Sequence, residues 1–169
     1  MNSTALAPVW VAPSLRVRLA CWLYEGMLLF GVVFVAGFVF STLARADHAL
    51  AHRQGLQAVV FVVMGIYFSG FWSRGQTLAM KTWRIRLVDR QGQRVSAWRA
   101  MVRYLLSWLW VLPPMAVSGP LQLPALEVLV LTVGWVLIWA LLSRFHPERQ
   151  YWHDAWAGTR LIAVPAPKK

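Results

Sequence analysis

Arg18 and Glu25 are the first residues whose types and spacing suggest chemistry. Glu25 is the only charged side chain between Ala20 and Ala44, a run rich in Leu, Val and Phe. A charge at the centre of a membrane span costs about 2.5–3.5 kcal/mol on insertion scales and less near an end, so an acid there is a functional candidate by default. Arg18 precedes Glu25 by seven residues, two helical turns, which puts both on nearly the same face of a helix. A carboxylate buried alone is far costlier than a buried pair. The expectation is that a cation holds Glu25, either Arg18 or a basic residue from a loop or the tail, with Asp154 in the same cluster.

Other chemistry-bearing residues are fewer. His48 and His52 stand at i, i+4, a spacing that suits a metal on a helix, but only Asp47 is near enough to be a third ligand. They read as histidines solvated at a membrane surface, and no metal site is expected. His153 and Asp154 lie between Trp152 and Trp156, an aromatic i, i+4 pair suited to lying in an interface. They read as the polar edge of a short amphipathic segment, residues 149–164. Gly75-Gln76-Thr77 is too short for a phosphate-binding loop, and no nucleophile stands beside a base. Neither an enzyme nor a cofactor is expected.

The elements that must position these residues are membrane spans. Of the 169 residues, 59% are hydrophobic and 14% charged, and 11 are Trp, more apolar surface than a soluble domain of this size can bury. The formal charge of +11 falls in blocks between apolar runs, the membrane pattern rather than a nucleic-acid footprint. Cys21 is the only cysteine, so no intrachain disulfide forms. Arg16, Arg18 and Ala44-Arg45-Ala46 imitate a signal peptide, but the apolar core is longer than the usual 7–15 residues or so and carries Glu25. It reads as an uncleaved first span. The predicted spans are 20–44, 56–72, 97–118 and 124–142, within a single membrane domain covering 1–169.

The predicted architecture is an all-α, four-helix transmembrane bundle. Between spans 2 and 3 the loop 73–96 reads as a cytoplasmic interfacial helix and a small β-hairpin. The helix covers Gln76 to Arg84, with Leu78, Thr82 and Ile85 on its apolar side. The hairpin joins Ile85–Asp89 to a return strand at Arg94–Ser96, with Leu161 to Val164 docking on it. Ser96 is placed to cap the next helix. Gly65 and Ser69 offer a small-residue approach for another helix, and Trp72 reads as an interface marker. Pro113-Pro114 either kinks or ends the third span. Arg99 and Arg103 are expected to snorkel to headgroups, and the arginines from Arg74 to Arg103 to set orientation and touch anionic lipid. Placing both termini in the cytoplasm puts 15 of the 17 Lys and Arg on that side and leaves Arg45 and Arg53 outside.

Three blocks together resemble the RDD family of bacterial membrane proteins, named for one arginine and two aspartates. They are Arg18-Leu19-Ala20 with the acid Glu25, Gly75-Gln76-Thr77-Leu78 leading into Ile85-Arg86-Leu87-Val88-Asp89, and His153-Asp154 followed by Ala157-Gly158-Thr159. Arg18 matches the family's arginine and Asp154 its second aspartate, while Glu25 stands where the first aspartate would be. The resemblance covers roughly Arg16 to Val164. It makes Arg18, Glu25 and Asp154 the principal site candidates, with Gly75, Gln76, Thr77, Arg86, Arg103, His153, Gly158 and Thr159 secondary.

The resemblance implies a multi-pass protein of the bacterial inner membrane. Transport, including sodium/proton antiport, has been suggested for some members. The alternative is a structural or regulatory membrane protein, in which Arg18, Glu25 and Asp154 clamp the bundle and the basic face meets lipid or a partner. The expected partners are anionic lipids, with a second copy of the chain or another membrane protein as further expectations. No nucleic-acid partner is expected.

Overall fold

The computed structural model describes residues 11–43 and 53–165, so His48, His52 and Asp47 lie outside the described residues. Among the described residues four helical segments are long and apolar enough to cross a membrane: Leu15–Leu43, Gln54–Thr82, Ala97–Ser118 and Ala125–Leu142. In chain order the elements are α1 (Leu15–Leu43), α2 (Arg53–Ser73), α3 (Leu78–Thr82), β1 (Ile85–Asp89) and α4 (Ala97–Ser107). A 3-10 turn over Trp108–Trp110 leads into α5 (Leu112–Ser118), followed by α6 (Ala125–Leu142), α7 (Trp152–Trp156) and β2 (Thr159–Ala163).

Helix α1 inverts the pattern of a soluble helix. Its only buried residues are Arg18, Cys21 and Glu25, at i, i+3 and i+7, so one polar stripe faces inward. Met27, Phe30, Phe34 and Phe38 stand outward and exposed. In water that face would be a large apolar patch; in a bilayer it meets a solvent of its own kind.

Helices α2 and α4 pack where Gly65 lets Tyr104 in. A methyl group on Gly65 would lie 3.1 Å from the Tyr104 ring, so only a hydrogen fits without adjustment. The Tyr104 hydroxyl donates to the Phe61 carbonyl at 2.7 Å, satisfying a polar group inside the helix pair. Ser96 caps α4, its hydroxyl accepting from the Arg99 N–H at 3.4 Å.

The third segment changes character ahead of the two prolines. Pro113 has no N–H to give the Leu109 carbonyl, its i−4 partner. The Trp135 indole N–H of α6 takes that place at 2.9 Å. Pro113 and Pro114 occupy the first turn of α5, where missing N–H groups cost little. The pair thus ends one helix and starts the next, and a tryptophan from the neighbouring segment satisfies the freed carbonyl.

The loop and tail form one two-stranded sheet. Strand β1 pairs antiparallel with β2, Leu87 opposite Leu161 and Asp89 opposite Thr159. This corrects the predicted hairpin: Arg94–Ser96 is not a strand, although the turn is present, closed by Asp89 N–H donating to the Gln93 carbonyl at 3.0 Å. Only three residues separate that turn from α4, and Ser96 is committed to its cap. The tail strand therefore pairs with β1 directly.

Both outer edges of this sheet are closed by glutamines. Gln76 donates to the Ile85 carbonyl at 2.8 Å, beside a Leu87 N–H bonded to the Gly75 carbonyl. Gln150 grips Leu161 with its whole amide, accepting from the N–H at 2.8 Å and donating to the carbonyl at 2.9 Å. Capped edges leave no ladder for another strand. Helix α3 also differs from its prediction: Leu78 is 50% exposed, and Ala79 and Met80 are buried instead, because α3 packs against α1 and β1.

Candidate functional site

The polar residues of the spans collect at one end of the bundle. There the first half of α1, the second half of α2, α3, β1, the second half of α4, the 3-10 turn and the tail meet around a cavity of about 480 Å³. Arg18, Cys21 and Glu25 line it from α1, Arg103 from α4, and Tyr151 and His153 from the tail. Ile85 and Leu161, one from each strand, also line it, so the sheet closes that end of the cavity.

Glu25 is 6% exposed and is held by hydroxyls rather than by a cation. Tyr67 of α2 donates to Oε1 at 2.7 Å, and Thr77 donates to Oε2. Thr77 also caps α3, its oxygen accepting from the Met80 N–H at 3.2 Å. Among the described residues Glu25 makes no ion pair. The expected Arg18–Glu25 pair is thus corrected: the two share a face, but two hydroxyls from other elements reach the carboxylate.

Arg18 is 5% exposed and points elsewhere. Its Nη2 donates to the Ser143 hydroxyl at 3.4 Å, and its guanidinium lies 4.3 Å from the centre of the Tyr151 ring. Burial pushes the Tyr151 phenol up to about 12, against the pull of the neighbouring Arg18 charge, so it stays a neutral platform. The Nε and Nη1 of Arg18 have no partner among the described residues.

Asp154 is fully buried, which corrects its expected place at a polar edge. Arg103 Nε donates to its Oδ1 at 2.7 Å, and His153 Nε2 lies 3.1 Å from the same oxygen. The Trp110 indole N–H donates to His153 Nδ1 at 2.9 Å. With Nδ1 accepting, the imidazole proton belongs on Nε2, aimed at Asp154. Burial alone would raise the Asp154 carboxyl, but the Arg103 charge and then His153 outweigh it and hold it below the usual carboxylate range.

Arg103 does not snorkel. It is buried, with its guanidinium 3.9 Å from the centre of the Trp72 ring, and Trp72 is an interior platform rather than an interface marker. Withdrawing Arg103 to the headgroups would leave the Asp154 carboxylate buried without its cation, which is costly. Arg99 stays outside and pairs with Asp89 at 3.5 Å.

Of the secondary candidates Arg103 and His153 line the cavity, and the others shape this end of the bundle. Gly75 sits at φ +95°, a turn that a side chain resists. Gly158 at φ +68° ends α7 and directs the chain into β2. Thr159 donates its hydroxyl to the Asp154 carbonyl at 3.1 Å. Arg86 is exposed, its chain passing over Gly75. Sequence reasoning missed Tyr67, Ser143, Gln150, Tyr151 and Trp110. Tyr67 alone carried a signal, a hydroxyl within an apolar run. Among the described residues no group of three or more His, Cys, Asp or Glu suits a metal ion.

The RDD family model matches residues 12–158, from ahead of Arg18 to beyond Asp154. The chain belongs to the RDD family. No curated protein and no solved structure shows a detectable match to it. In this RDD protein the three principal candidates fall into two groups: Arg18 and Glu25 line the cavity, while Asp154 is locked behind it by Arg103 and His153.

Proposed function

We propose that this RDD protein is an ion-linked transporter of a bacterial inner membrane, with Glu25 as the acid that exchanges a proton or cation at the cavity. The observation carrying this reading is that Glu25, buried in a span, lines a cavity and is held by Tyr67 and Thr77 without a counter-charge. Hydroxyls serve either state, since each can donate to a carboxylate or accept from a carboxyl group. A resident cation would hold the acid permanently ionised; its absence leaves room for exchange. Both termini and the α3–β1 loop lie in the cytoplasm on this reading, as the division of basic residues favours. The cavity then faces that side.

The test is flux. Purified protein in liposomes with a trapped pH dye should show a pH change when sodium, potassium or lithium is added outside. No response to any of them, with the protein folded, would remove the ion-linked reading.

A second reading has its own observation. The buried Arg103–Asp154–His153–Trp110 chain ties the tail to α4 and the 3-10 turn, with its carboxylate fully buried behind the cavity. That half of the motif fits a clamp, and a chain without flux would leave the clamp as its function.

A further inference from the structure

The guanidinium of Arg18 is a charge that the fold has left partly unanswered. It is buried and lines the cavity, its Nε and Nη1 have no partner, and its one hydrogen bond is to a neutral hydroxyl. The carboxylates of the cavity end are engaged by other groups, Glu25 by Tyr67 and Thr77 and Asp154 by Arg103 and His153. A buried cation with free donors calls for an anion.

The cavity says what kind of anion. Its volume is in the range of about 300–1,000 Å³ typical of small-molecule sites. Arg18 lies in the first turn of α1, at the edge of the span, beside Ser143, which directly follows the last residue of α6. From there the lining runs inward past Gly26 to Leu29, eleven residues or about 16 Å along the helix axis. Trp22 and Leu23 line the cavity and are also exposed on α1, so the cavity reaches the apolar outer face of the bundle. A charged end at the depth of headgroups, an apolar channel running inward and a side opening towards lipid are the shape of an amphiphile.

We propose that the cavity binds one anionic phospholipid, its phosphate on the N–H groups of Arg18 that the fold leaves free and one acyl chain lying along Gly26 and Leu29. The guanidinium fork matches a phosphate in a bidentate way, and Tyr151 holds it flat from one side. This site does not depend on flux through the cavity. Lipid retention and ion flux are separate readouts, and failure of either leaves the other standing.

Native mass spectrometry of the full chain, released from micelles holding equal phosphatidylglycerol and phosphatidylcholine, tests it. Wild type should retain one phosphatidylglycerol with a preference of about tenfold, the worth of one or two charge-assisted hydrogen bonds. Arg18→Gln should bring the two lipids to parity. Gly26→Phe leaves Arg18 in place and puts a ring at the channel; a Cβ at Gly26 meets nothing within 4 Å, so the side chain starts in open space. It should abolish retention in a protein that still elutes as wild type. Arg90→Gln, on the exposed turn, should change nothing. Unaltered preference in Arg18→Gln, or unaltered retention in folded Gly26→Phe, would overturn the proposal. Displacement of the lipid by millimolar inorganic phosphate would overturn it too, because the site would then be one for a free anion.

Discussion

The Thr77 hydroxyl joins Glu25 to the first turn of α3. One oxygen atom donates to the carboxylate of α1 and accepts the Met80 N–H, so the acid and the short helix are positioned by the same group. Thr77→Val keeps the shape and removes both bonds. It should cost about 2–3 kcal/mol, a lost cap plus a weakened charged hydrogen bond, read as reduced thermal stability in detergent. Thr77→Ser should restore most of it.

Arg18 and Glu25 have no partner in common, so their substitutions should act independently. Arg18→Ala and Glu25→Ala should add in detergent stability to within about 0.5 kcal/mol, the usual limit for uncoupled sites. A double variant clearly milder than the sum of the singles would mean that the two side chains pair directly.

Arg103 and Asp154 should behave in the opposite way. Either Arg103→Ala or Asp154→Ala strands a buried charge and should cost about 3–5 kcal/mol, while the double change should cost much less than the sum. The acid arm follows from the lowered Asp154 carboxyl. Its contribution is present above the ordinary value of 3.8 and is lost as pH falls through the lower folded value. Wild type should therefore lose stability as pH drops below about 4, and Asp154→Asn should lack that component. An unchanged acid profile in the Asn variant would contradict the pairing.

Trp135→Phe tests the repair at the prolines. It leaves the Leu109 carbonyl without the indole donor and should cost about 1–3 kcal/mol. Trp139→Phe, one turn along, removes an indole whose N–H has no partner and should cost less.

How much of this was legible in the sequence depended on range. The shared face of Arg18 and Glu25 follows from helical spacing alone, and the cap at Ser96 from its residue type ahead of the third span. Spacing gives a shared face, though, and a shared face is not a bond. Which groups reach Glu25 was decided by Tyr67 and Thr77, 42 and 52 residues away. The β1–β2 pairing was read only in part: Leu161 to Val164 was expected to dock there, but a local turn at Arg90–Gln93 suggested Arg94–Ser96 as the direct partner of β1, and that partner is the tail strand beyond two spans. Trp72 and Arg103 show a different limit. An aromatic and an arginine near a span end suit an interface as well as a buried cation–π pair, and the buried Asp154 decides between them. Of the glutamines at the sheet edges, Gln76 stood out only through the family block and Gln150 not at all, since their amides bind backbone atoms.

The central claim is that the motif divides, with Glu25 active at the cavity and Asp154 structural behind it. The most direct measurement compares Glu25→Gln with wild type in the liposome pH assay, after matching the two for thermal stability. Gln keeps the shape and can keep both contacts, its oxygen accepting from one hydroxyl and its NH2 donating to the other, but it cannot exchange a proton. The account predicts a folded Glu25→Gln protein, within a few degrees of wild type in melting temperature, with no ion-linked pH change. A stable Glu25→Gln protein with undiminished flux would contradict it.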